Sequence, residues 1–390
     1  MVEEVPEAVI ASEPTIGGVR RVETYALAVP LSRPVADSTY FRPTWIVPVV
    51  EVETDDGLVG TGIGGVWAGH ELICAAIDHY FAPQLIGQPV DDIRAIWHRL
   101  YWSDIHWVGR AGVVHMAQGM VDQALWDLAA LRAGLPLWKL LGGRHGELAS
   151  YNTDGGWLNW SSDELVEDMR ALVEQGWTRV KMKVGKPDWR EDVQRMQAVR
   201  TALPDEVTLM CDVNQRWDLA TAMTMLPYLE EVGMGWLEEP LHPDDVEGHR
   251  KLQAATRIPI ALGETLYSQH AFSAFIRADA VRVVQVDVTR VGGVSEWLQI
   301  AAEATAAGLW VVPHAGDMMV LARHLVAASF AEKPAMIEWI PWTLEVFEEP
   351  ASVEGGIVAL PRTPGASTRV RAGARSAWAV PGVGSVVTAR

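Results

Sequence analysis

An ionisable side chain recurs every 23 to 29 residues through the second half of this chain, at Lys183, Asp212, Glu238, Glu264, Asp287, His314 and Glu338. Each lies toward the end of a short strand-like stretch: TRVKMKV, VTLMCDV, MGWLEE, IPIALGE, VRVVQVD, LWVVPH and AMIEWI. An eighth stretch, SYNTDG, precedes them, and the segments between have helical periodicity. In the first of these, Ser161 and Glu164 are spaced as a capping box, Leu165, Met169, Leu172 and Val173 share one face, and Gly176 ends the run. Eight such units in about 200 residues predict parallel strands closed into a barrel of the (β/α)8 kind. A charge repeated once per unit then falls at one end of the barrel, the C-terminal face where barrel enzymes place their chemistry. Any one of these residues alone reads as a surface loop residue, but seven in phase do not.

Strand alternation sharpens the expectation. Val180, Met182 and Val184 should meet the helices, which turns Lys181 and Lys183 together into the barrel. Repulsion and burial would both lower an ammonium pKa there, making one lysine a base near neutral pH, unless the pair reaches solvent at the rim. On the next strand Leu209, Cys211 and Val213 take the helix side and leave Asp212 and Asn214 facing in. Asp212, Glu238 and Glu264 on successive strands offer three carboxylates, a donor set that suits a hard octahedral ion such as Mg²⁺. Asp287 and His314 end the next two strands, where the carboxylate can orient the imidazole.

The first half has a different grammar. RRVETYALAV, TWIVPVVEVET and LVGTGIGG, with the turn Asp55-Asp56-Gly57, predict a small antiparallel sheet, followed by helices near 71–82, 91–102 and 112–132. The expected divisions are a leader at 1–18, an α+β domain at 19–145, a barrel at 146–356 and a tail at 357–390 that can return to the first domain. A net charge of −18 disfavours nucleic acid and anionic membranes. Two cysteines, Cys74 and Cys211, cannot make a disulfide framework, and neither a basic signal peptide nor a spanning apolar run is present. A cytoplasmic protein with no membrane or nucleic-acid partner is expected.

These residues together resemble the mandelate racemase subgroup of the enolase superfamily. KMK at 181–183 is similar to its K-x-K pair, CDVNQ at 211–215, EEP at 238–240 and GET at 263–265 to its three ligand motifs, and DVTRVGG at 287–293 with PHAG at 313–316 to its Asp-His dyad. AQGMVDQALWDLAALRAGLPLWKLLGG, residues 117–143, resembles its signature helix, with Met120 and Leu131 as departures. The resemblance implies a modified (β/α)7β TIM barrel under an N-terminal α+β capping domain, Mg²⁺ as cofactor, a small-molecule carboxylate as substrate, and a homo-oligomer. It implies Lys183 as the base that takes the α-proton, and Lys181, Asn214 and Glu338 at the substrate. It also implies that two N-terminal loops, near 30–42 and 62–70, choose the substrate.

Those loops offer Arg33, Asp37, Ser38, Tyr40, Arg42, Trp67 and His70, and Trp157 and Trp160 can line the mouth. So polar a lid favours an acid sugar that loses water, with His314 as the acid, to give a 2-keto-3-deoxy acid. Racemisation or epimerisation of a 2-hydroxy acid, or cycloisomerisation of a sugar-acid lactone, are the alternatives. A metal-free binding scaffold does not need this set of residues, and a zinc hydrolase would want an H-x-H pair, which the sequence lacks.

Overall fold

The computed structural model describes residues 17–144, 147–314, 319–329 and 336–388. The expected leader lies outside them except for its last two residues, as do Ala315 and Gly316 of the PHAG motif.

Strands β1 (Val19–Ala36), β2 (Phe41–Thr54) and β3 (Val59–Ile63) form an antiparallel sheet. β1 and β2 stay paired from Val19↔Thr54 to Ala36↔Phe41, with an irregularity between Pro30 and Val35. The loop expected at 30–42 is therefore mostly strand: a hairpin arm whose turn is only Asp37 to Tyr40. β-branched and aromatic residues at Val29, Val35, Phe41 and Trp45 carry pairing beyond the domain's own core. Helices His70–Ala76, Ile93–Tyr101 and Val113–Ala133 follow. Gly60 and Gly62 let β3 lie directly on the long helix, because a Cβ at Gly62 would fall 1.8 Å from the Met120 carbonyl oxygen. Met120, one of the two departures from the resembled signature helix, is fully buried against that strand.

Eight parallel strands then alternate with helices: β4 (Leu148–Asn152), β5 (Arg179–Lys183), β6 (Thr208–Asp212), β7 (Leu237–Glu238), β8 (Ile260–Leu262), β9 (Val283–Val284), β10 (Trp310–Val311) and β11 (Met336–Trp339). They neighbour one another in the order β10-β9-β8-β7-β6-β5-β4-β11. Among the described residues seven helices lie between eight strands, which is the (β/α)7β arrangement. The Ser161 capping box is formed, and Val180, Met182, Val184, Leu209, Cys211 and Val213 pack in the core between sheet and helices. Cys211 is thus a packing residue. Inside the barrel a second cluster, Tyr151, Met210, Trp236, Ala261, Val283, Val312 and Met336, plugs the interior.

A short hairpin, β12 (Val353–Glu354) with β13 (Ile357–Val358), sets β13 antiparallel on β4. The chain ends with β14 (Val386–Thr388) antiparallel to β1, in register Glu23↔Val386. Gly119, in the middle of the long helix, joins the two halves, since a Cβ there would come within 2.3 Å of the Val291 carbonyl oxygen. No helix among the described residues is long and apolar enough to cross a membrane.

Candidate active site

Above the apolar plug, the inward positions of β5, β6, β7, β8 and β11 place their charged ends around one point. Period-two alternation on β5 turns Lys181 and Lys183 inward, where both are buried. Lys183 Nζ donates to Asp212 Oδ2 at 2.5 Å. Lys181 Nζ lies 2.6 Å from Glu238, 2.8 Å from Glu338 and 3.7 Å from Asp212. Asp212, Glu238 and Glu264 each present an oxygen within 4.8 Å of the others. Ligand oxygens at ~2.0–2.1 Å from an octahedral ion are about 2.9 to 4.1 Å apart, so this set needs little contraction to share one. All three donors are hard oxygens and two of the residues are fully buried, which fits Mg²⁺ and not a soft ion.

On the far flank His314 Nδ1 meets Asp287 Oδ2 at 2.7 Å, while its Nε2 faces Glu264 at 3.4 Å and Glu338 at 3.8 Å. Asp287 is pinned by Thr289, whose N–H and hydroxyl both donate to Oδ1. Lys183 and His314 therefore flank the carboxylate triad, one at Asp212 and the other at Glu264. Asn214 sits at the rim with its Oδ1 buried and without a hydrogen-bond partner among the described residues.

Electrostatics in the cluster differ from the expectation of a depressed lysine pKa. Burial does press on both ammonium groups, but Glu238 and Glu338 around Lys181, and Asp212 beside Lys183, outweigh it and raise both above the ordinary lysine value. Burial likewise works to raise the carboxyls. It prevails at Glu238, pushed up to about 8, and at Glu264, whereas the lysines hold Asp212 low and Lys181 with His314 hold Glu338 down at about 2. At His314 burial is overcome by Glu264, Asp287 and Glu338, which lift it to about 10.

The lid is less polar in function than in composition. Arg33 pairs with Asp168 at 2.9 Å and its guanidinium lies 3.6 Å above the Trp160 ring, so it fastens the hairpin to a barrel helix. Ser38 donates to the Val213 carbonyl at 2.7 Å, which latches the hairpin tip to the end of β6. Asp37 accepts from the backbone of Thr39 and Tyr40, Arg42 stacks on Tyr40, and His70 is buried beside Glu71. The mouth itself is walled by aromatic rings: Trp67, Trp157 and Trp342 pack together, and Lys183 Nζ is 5.5 Å from the Trp157 ring centre.

Several site residues escaped the sequence reading. Gln285 and Trp236 both donate to Glu238 Oε2, at 2.8 and 3.0 Å, and Thr153 donates to Glu338 at 2.7 Å. Gln285 and Trp236 lie two residues before Asp287 and Glu238, so the alternation that turned Lys181 inward would have found them. Glu239 accepts from Gln215 at 2.9 Å and from Thr265 at 2.6 Å, tying together the segments that follow all three triad carboxylates. Asn214, Gln215 and Glu239 have positive φ angles of 46°, 66° and 41°, a region non-glycine residues seldom adopt, and no sequence signal marks that.

Comparison with known proteins places this geometry. Residues 21–142 match the model of the mandelate racemase / muconate lactonizing enzyme N-terminal domain, and residues 164–374 match that of the enolase C-terminal domain-like family. The chain is 37% identical to L-talarate/galactarate dehydratase of Salmonella typhimurium over 346 residues, covering 86% of this chain and 85% of that protein. It is 31% identical to 3,6-anhydro-alpha-L-galactonate cycloisomerase of Streptomyces coelicolor, covering 89% of this chain and 95% of the other. The structure superposes with a TM-score of 0.88 on L-talarate dehydratase from Polaromonas sp. JS666 complexed with Mg and L-glucarate, at 35% identity, covering 96% of this chain and 100% of that one.

Proposed function

The chain belongs to the mandelate racemase / muconate lactonizing enzyme family of the enolase superfamily, and from that premise we propose that it is an acid-sugar dehydratase working on an aldonate or aldarate with Mg²⁺. The observation that carries the reading is the placement of Lys183 and His314 on opposite flanks of the Asp212, Glu238 and Glu264 triad.

Asp212, Glu238 and Glu264 would hold the ion, and it would supply positive charge where the substrate carboxylate gains electron density as its α-proton leaves. Lys183 takes that proton. Asp212 would also hold the ion, which would loosen its grip on the ammonium, and the burial of Lys183 favours the neutral amine a base requires. Lys181, kept cationic between Glu238 and Glu338, faces the substrate carboxylate. His314, whose imidazolium form the Asp287 carboxylate favours, gives its proton to the departing β-hydroxyl, so the C–O bond breaks as water forms. The enol left behind takes up a proton and becomes a 2-keto-3-deoxy acid. Asp287 fixes the imidazole so that Nε2 points at the site.

The lid no longer supports a polyol on composition, because Arg33 and Ser38 are engaged in holding the hairpin. Asn214 Oδ1 takes that part: a substrate hydroxyl would satisfy a buried acceptor that otherwise costs ~1 to 3 kcal/mol. The test is to incubate the protein with Mg²⁺ and a panel of aldonates and aldarates, trap α-keto product with semicarbazide, and follow the α-proton by NMR in D₂O. Loss of water from at least one acid sugar is expected. Epimerisation or lactone cycloisomerisation with no elimination would replace the dehydratase reading.

A further inference from the structure

The turn that follows β9 begins at Asp287, and its backbone is gripped at several points. Gln123 Nε2 donates to the Val288 carbonyl at 3.2 Å, and the Trp97 indole N–H donates to the Gly292 carbonyl at 2.7 Å. Glu296 accepts from the Gly292 N–H at 2.6 Å and pairs with the buried His115 at 2.5 Å. Within the turn, the N–H groups of Arg290 and Val291 both donate to the Asp287 carbonyl, at 3.1 and 3.2 Å. None of these bonds uses the Arg290 side chain. Its Nη1 donates instead to the Gly65 carbonyl at 2.6 Å and to Thr289 Oγ1 at 3.1 Å. Gly65 precedes Val66, which is bonded to Ile46 through both its N–H and its carbonyl. The guanidinium therefore has a fixed anchor in the loop that carries Trp67 to the mouth.

We propose that Arg290 is a positioning residue for the Asp287–His314 pair, aiming the Thr289 hydroxyl at Asp287 and through Asp287 fixing the imidazole. A guanidinium can only donate, whereas a hydroxyl has one proton and two lone pairs. Because Thr289 Oγ1 accepts from Arg290, its single proton is left for Asp287 Oδ1, which it meets at 2.8 Å beside the Thr289 N–H at 2.7 Å. With Oδ1 held twice, Oδ2 is the oxygen turned to His314 Nδ1. Without Arg290 the hydroxyl is free to rotate its proton toward the Gly65 carbonyl, and the carboxylate keeps one fixed bond about which it can tilt. Burial works to raise the Asp287 carboxyl, and Arg290 leads the charges that hold it low instead. The effect of Arg290 on the reaction rests on the reading of His314 as the acid.

Arg290→Met keeps most of the side chain's bulk and removes its donors. With Mg²⁺ and an acid sugar in D₂O, deuterium returned to the substrate and α-keto product are counted on the same enzyme molecules, so the folded fraction cancels in their ratio. Loss of an outer partner of a site residue typically costs about 10 to 100-fold, so that ratio should rise by about this factor while α-proton exchange itself stays within about twofold. A ratio unchanged in the folded variant, with exchange and product falling together, overturns the proposal. Arg290→Lys, which keeps a donor on a different reach, should move the ratio the same way but less, and serves where Arg290→Met does not fold. A second measurement needs no substrate. In protein labelled with ¹⁵N in its histidine rings, with His314→Asn to assign the signal, the Nδ1 proton given to Asp287 should exchange with water severalfold faster in the Arg290 variant, while the signal of His115 stays. Unchanged protection of that proton overturns the proposal. Native protein that eliminates water from no acid sugar counts against the dehydratase reading alone, and the proton exchange then decides the role of Arg290.

Discussion

Two groups of buried carboxylates in this molecule are stabilised in opposite ways. At the barrel mouth Asp212, Glu238, Glu338 and Asp287 are packed against the ammonium groups of Lys181 and Lys183 or the imidazole of His314. On the long helix Asp122 and Asp127 are just as buried but meet neutral donors. Asp122 accepts from the Ser295 N–H at 2.9 Å and hydroxyl at 2.7 Å, and Asp127 from Thr61 N–H at 2.9 Å and Ala366 N–H at 2.6 Å. Burial dominates there, as it does at Glu238 but not at Asp212, Glu338 or Asp287, and pushes Asp122 up to about 7 and Asp127 to about 6. Oriented dipoles are enough to tie a helix to its neighbours. Movable cations beside anions are what a site needs if charge is to be redistributed when a metal ion and a substrate arrive.

If that contrast is right, changes at the mouth should alter chemistry and changes on the helix should alter stability. The largest effect is expected from chelation: exhaustive removal of divalent ions with EDTA should abolish turnover, and Mg²⁺ should restore it. Lys183→Ala should come next, slowing α-proton exchange in D₂O by about 10² to 10⁴-fold while Mg²⁺ still binds by calorimetry. Exchange at the native rate in that variant would move the base to His314. His314→Asn should keep exchange and lose elimination by a similar factor, seen as deuterium uptake without semicarbazone.

Smaller effects belong to the helix. Asp127→Ala leaves the Thr61 and Ala366 N–H groups unpaired and should lower stability by about 1 to 3 kcal/mol each in urea unfolding, with the KM of the remaining native enzyme unchanged. The pH dependence has a definite sign. Because Asp122 is raised in the folded state, its contribution is complete below the unfolded value near 3.8 and is lost as pH rises through about 7. Asp122→Asn should therefore flatten the fall in stability between about pH 4 and 7, by up to about 1.4 kcal/mol per pH unit. Glu338 has the opposite sign: held down at about 2, its contribution is present above 4.5 and lost toward acid. The smallest effect is expected for Arg33→Ala, since an exposed ion pair and one cation-π contact contribute about 1 kcal/mol together; a thermal melt and KM will read it.

Periodicity alone determined most of the architecture. Eight strand-like stretches, seven ionisable residues one unit apart, and the inward turn of Lys181, Lys183 and Asp212 follow from a side-chain period of two and a unit length set by one helix and its turns. Those are local rules, and a linear string carries them. Tertiary structure decided the rest, because it depends on which distant groups meet. The lysine pKa values rose instead of falling, since carboxylates from β6, β7 and β11 surround ammonium groups on β5. The polar lid became a hairpin arm because Asp168 and the Val213 carbonyl, far along the chain, engage Arg33 and Ser38. Composition shows that a charge exists; only the fold sets its partner, and at the distances found here the partner decides its protonation.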